Sequence, residues 1–105
     1  MLNGSIEDIK TFEVMSGSKT IPAKGSIKLS PNFSNKARVL NKWRGVFVSI
    51  GNQSIDTSQI YARIIFRVSS VSTQTCFPVV YIINDSDSDI TLATGEIRLY
   101  IRYIE

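Results

Sequence analysis

Histidine is missing from this 105-residue chain. Its absence removes the side chain that most often serves as a general base near neutral pH, and a leading zinc ligand. The single cysteine, Cys76, excludes an internal disulfide and fits synthesis in a reducing compartment. With no histidine to activate it, Cys76 reads as a buried thiol, not a nucleophile. There is no Gly-x-Ser-x-Gly elbow, no P-loop and no dinucleotide fingerprint. Together these gaps describe a non-enzyme that needs no cofactor. No apolar run approaches the ~18 residues of a membrane span, so no membrane insertion is expected. Met1 to Ser5 lacks the basic start and apolar core of a signal peptide.

Charge of one sign is also in short supply. Lysine and arginine number 12 against 9 acidic residues, a net charge of +3. That is too mild for a dedicated nucleic-acid binder. Helical patterning is scarce as well, with no amphipathic 3.6-residue repeat longer than two turns. Period-two alternation takes its place. In the closing stretch, Ile97, Leu99, Ile101 and Tyr103 share one face and Arg98, Tyr100, Arg102 and Ile104 the other. Ile60 to Val68 alternates in the same way, and Cys76 to Ile83 is apolar on both faces, the mark of a central strand.

Further strands are expected at Ile9 to Met15, Ser26 to Ser30, Arg44 to Ile50 and Ile90 to Ala93. A short one at Lys19 to Ala23 is assigned to an edge by Pro22. Lys36 to Leu40 reads as strand or helical turn. Pro31 to Asn35, Gly51 to Ser58, Ser69 to Thr75 and Asn84 to Asp89 read as turns and loops. About seven to nine short strands so spaced predict an all-β fold, an antiparallel β-sandwich or jelly roll. The length suits one domain over residues 1–105, with 1–8 as a flexible arm or the stub of a longer shaft.

Three groups of residues offer chemistry. Trp43 is the only tryptophan. Exposed, it would stack on the apolar face of a sugar, with Arg44, Asn52 and Gln53 supplying hydrogen bonds; buried, the commoner fate, it fills a core. Arg63 and Arg67 share a strand face, and Arg98 and Arg102 repeat the spacing around Tyr100. If those strands are neighbours, four guanidinium groups surround Tyr61 and Tyr100 on one sheet face. Such a face suits subunit contact, an anionic ligand or single-stranded nucleic acid, or is simply kept soluble by arginine. The low net charge favours subunit contact or solvation over nucleic acid. Asp85, Asp87 and Asp89 alternate like the start of a calcium loop, with Glu96 at the twelfth position. Ile90 stands where such a loop needs glycine, so a solvated turn is preferred and no metal is assigned.

The run Ser18 to Leu29, with its Pro22-Ala23-Lys24-Gly25 corner, resembles the opening of small β-sandwich head domains in bacteriophage tail fibres and receptor-binding proteins. Asn84 to Leu92, followed by Gly95 and an Ile-x-Leu-x-Ile strand, is similar to the way such heads end. The resemblance implies a virion (tail) location, a homotrimer and contact with a cell-surface saccharide or protein. It assigns no ligand residue.

Overall fold

The computed structural model describes residues 8–29 and 37–105. The expected turn at Pro31 to Asn35, Ser30, Lys36 and the expected arm up to residue 7 lie outside the described residues. Those described form an all-β, antiparallel structure. Its strands are β1 (Ile9–Met15), β2 (Lys19–Ile21), β3 (Gly25–Lys28), β4 (Arg38–Val39), β5 (Trp43–Ile50), β6 (Ile60–Ser70), β7 (Thr75–Asn84), β8 (Ile90–Leu92) and β9 (Ile97–Ile104). Leu40–Lys42 makes a single 3-10 turn between β4 and β5. The segment at Lys36 to Leu40, open between strand and helical turn, thus contributes to both.

One sheet runs β1-β9-β5; a second has β7 between β6 on one side and β3 with β4 on the other; β2 and β8 form a separate ribbon. The alternation of β9 decides its faces. Ile97, Leu99, Ile101 and Tyr103 are buried, and register sets them against Val14, Phe12, Val46, Val48 and Ile50. On β7 the even-numbered residues Cys76, Val80 and Ile82 point the same way, inward. One buried cluster joins these faces with Ile21, Trp43, Ile60 and Leu92. Two sheets packed over such a shared interior make a β-sandwich.

Pro78 lies in the central strand, where proline is normally excluded. The hydrogen bonds explain it. Leu29 N–H donates to the Val80 carbonyl at 2.8 Å, so even-numbered β7 main-chain groups face β3 and β4. The partners on that side cover Thr75, Cys76 and Val80 to Asn84. The missing N–H of Pro78 therefore faces the break between β3 and β4, where no described strand needs it.

Alternation within β5 is broken once. Trp43 pairs with Tyr103 and Gly45 with Arg102, so Arg44 is an extra residue in the register. This β-bulge reverses the parity of the strand's start. Trp43, which simple alternation sets beside Phe47 on the outside, turns inward instead.

At one end of the sandwich, Asn84 ties two loops together. It is fully buried, and its Nδ2 donates to the Ile21 carbonyl at 3.0 Å and the Ser88 carbonyl at 2.8 Å. Its Oδ1 accepts from the Ser86 N–H at 2.9 Å and the Ser86 hydroxyl at 2.6 Å. Two carbonyls on one side and an N–H on the other fix the orientation of the amide. Lys24, in the left-handed region at φ 55°, completes the tie: its N–H donates to the Ser86 carbonyl at 3.0 Å.

Candidate functional site

Trp43 is not a surface platform. It is 8% exposed, its Nε1 donates to the Cys76 carbonyl at 3.1 Å, and its ring packs 5.8 Å from Phe66 and 6.0 Å from Tyr103. The bulge at Arg44 puts it there. Arg44 is half-buried and donates from Nη1 to the carbonyls of Asn41 and Trp43. Asn52 and Gln53 are exposed, but at the far end of β5, roughly 20 Å away at the rise of an extended strand. Asn52 bonds to Glu96 and, through Oδ1, to the Ser54 N–H at 2.7 Å. The four residues expected to share a sugar site are thus not brought together.

The arginines divide as well. β6 belongs to one sheet and β9 to the other. Arg63 and Arg67 lie on the outer face of the first, with Tyr61; Arg98, Tyr100 and Arg102 lie on the outer face of the second. These faces look in opposite directions, so there is no four-guanidinium surface. Arg102 instead stands 5.5 Å over the ring of Phe47, which register sets opposite Tyr100, and Arg98 donates to the Gly95 carbonyl at 3.2 Å.

The aspartates do not form a cage. The Lys24 ammonium lies 3.7 Å from Asp85 and 3.8 Å from Asp87, and it donates to the Asp85 carbonyl at 2.9 Å. Asp89 turns away to accept the Ala23 N–H at 2.9 Å. Glu96 is engaged by the Ala93 N–H at 2.6 Å and by Asn52. Among the described residues no three acidic or cysteine side chains are grouped to hold a metal. In the Gly51 to Ser58 loop, the Ser58 N–H donates to Asp56 at 3.0 Å and holds that carboxyl below its ordinary value.

Sequence reasoning missed one feature, the β6 side of the sandwich. Among the described residues ten large apolar residues are well exposed: Tyr61, Ile64, Ile65 and Val68 lie on β6, Leu40 and Val71 on the 3-10 turn and the β6–β7 turn, and Val39 on β4, across β7, with Ile9, Met15 and Phe47 elsewhere. Ile64 and Val68 face inward by register, opposite Val80 and Cys76, yet are 38% and 66% exposed. The sheet carrying β5 does not reach over them. Two shallow apolar grooves of about 460 and 420 Å³ follow this side, lined by Leu40, Trp43, Val46, Phe66, Val68 and Val71 among others. On the outer face of the same sheet, which also carries Arg63 and Arg67, Val79 opposite Ile65 is 4% exposed though it lies outside the core cluster. Alternation set Ile64 and Val68 on one face of β6, and only the tertiary structure shows that this face is open there.

Arg38 was missed too. Its guanidinium lies 3.9 Å over Tyr103 and 5.7 Å from Trp43, closing one end of the core. No helix among the described residues is long and apolar enough to cross a membrane. Comparison with known proteins found no match among protein-family models, curated proteins or solved structures.

Proposed function

We propose that this chain is a non-catalytic assembly module whose work is to associate with further copies of itself. One observation carries the reading: among the described residues β6 exposes Tyr61, Ile64, Ile65 and Val68, apolar side chains on both of its faces, with Leu40 and Val71 lining the grooves beside it. Scattered exposed apolar residues are ordinary, but a contiguous band of them marks an interaction surface. The arginines suit the same role, since Arg is enriched at protein interfaces. A saccharide role would need a different platform, because Trp43 is inside the core. A nucleic-acid role loses the joint arginine face it depended on.

Light scattering coupled to size exclusion, from about 1 to 100 μM, tests the proposal. The expected result is a mass above the 11.7 kDa of one chain. A strictly monomeric protein across that range rejects it.

A further inference from the structure

We infer that two copies of this chain join edge to edge through β6, antiparallel about a two-fold axis at Ile64, to make one sheet continuous across both. The inference rests on the self-association proposed above and names its geometry.

Among the described residues β6 has one hydrogen-bonded neighbour, β7. The Asp85 N–H donates to the Gln59 carbonyl at 2.8 Å, so odd-numbered residues of β6 turn their main-chain groups toward β7. Ala62, Ile64 and Phe66 turn theirs away, to the open edge. The other edges are guarded. β3 and β4 are four and two residues long, β5 carries its bulge, and β1 presents Lys10 and Glu13. β6 is eleven residues long, with neither proline nor acidic residue, and its register with β7 is regular from Ile60 to Val68. A long, regular edge strand whose charges, Arg63 and Arg67, both lie on its outer face remains a template for another strand.

The second copy is singled out by self-complementarity. Ile60 to Val68 is regular over nine positions, and Ile64 is the middle one. Centred there, the pairing sets Ile64 on its counterpart, Ala62 against Phe66, Arg63 against Ile65 and Tyr61 against Arg67. Inward residues then meet inward residues, the outward-turned main-chain groups meet each other, and each Arg67 meets an aromatic ring. Centring on Arg63 would place that arginine on its own copy, and centring on Ile65 would place Arg63 on Arg67; like charges directly opposite are destabilising.

Two variants test this. Ile64→Pro removes an N–H that faces the open edge and leaves every β7 bond intact, so the sandwich is retained and pairing is blocked. Ile64→Cys places two thiols opposite each other, within the Cα separation a disulfide requires. The expected results are a wild-type dimer by light scattering, a monomeric Ile64→Pro with the wild-type circular dichroism spectrum, and a covalent dimer of Ile64→Cys under mild oxidation. Ser49→Cys, on the outer face of the other sheet, is expected to stay uncrosslinked. A wild-type oligomer that persists in a folded Ile64→Pro, a trimeric mass, or an Ile64→Cys that does not crosslink overturns the β6 geometry while self-association stands. A monomeric wild type overturns both. Should Ile64→Pro fail to fold, crosslinking of Ile64→Cys decides alone.

Discussion

Truncating Asn84 to alanine should weaken the sandwich more than any surface change. The side chain is fully buried and makes four hydrogen bonds, two given and two accepted. A typical internal hydrogen bond contributes about 1 kcal/mol net, and a buried group left unpaired costs about 1–3 kcal/mol. The Ile21 carbonyl belongs to a residue with no exposed surface and would stay dry, whereas Ser86 and Ser88 are accessible and can recover water. The total is about 3–4 kcal/mol, a large share of the 5–15 kcal/mol typical of a domain. Thermal unfolding should fall by roughly 12–32 °C at about 4–8 °C per kcal/mol.

Asn84→Asp sharpens the test. It keeps the shape but sets a carboxylate oxygen against the Ile21 and Ser88 carbonyls. A carboxyl held there favours its protonated form, which still donates one bond. The folded state then binds the proton more tightly than the unfolded chain, so this variant should gain stability, relative to wild type, as pH falls from 7 toward 4. Urea melts at several pH values measure both effects. An alanine variant within about 0.5 kcal/mol of wild type, or an aspartate variant whose deficit ignores pH, would refute the tie assigned to Asn84.

Other consequences are equally direct. Trp43 fluorescence should be blue-shifted and shielded from iodide, and Trp43→Ala should cost about 3–5 kcal/mol; a red-shifted emission that saccharides quench would return the ring to the surface. Gln74 holds φ 58° in the β6–β7 turn, so Gln74→Gly should stabilise by about 0.5–1 kcal/mol in a denaturant melt and Gln74→Val should destabilise. The Asp56 carboxyl, depressed by the Ser58 N–H, contributes stability above its unfolded value and loses it as pH falls through the folded one. Carboxyl NMR should find its midpoint below that of an ordinary aspartate, and Ser58→Pro, which deletes the donor, should move it back up.

Much of the fold was legible because alternation is a local signal. β9, β6 and β7 each declare two faces, and the doubly apolar β7 is indeed central in its sheet, as β9 is in the other. What escaped depends on distant partners. No spacing rule tells that β6 and β9 lie in different sheets, so Arg63 and Arg67 could not be separated from Arg98 and Arg102 by reading along the chain. A bulge of one residue reversed the side that simple alternation gives Trp43. The aspartate run suggested cation chemistry until Lys24, some 60 positions earlier in the chain, proved to supply the positive charge. Pro22 follows β2 and ends it, whereas the more telling proline, Pro78, marks a break between two neighbouring strands.

Amide hydrogen exchange along β6, followed at low and high protein concentration, examines the proposed edge residue by residue. In dilute solution Tyr61, Arg63, Ile65 and Arg67, bonded to β7, should exchange slowly, and Ala62, Ile64 and Phe66 fast; at high concentration these three should become protected. Uniform slow exchange in dilute solution would show that β6 is no open edge, and alternating exchange that ignores concentration would show that no second copy meets it.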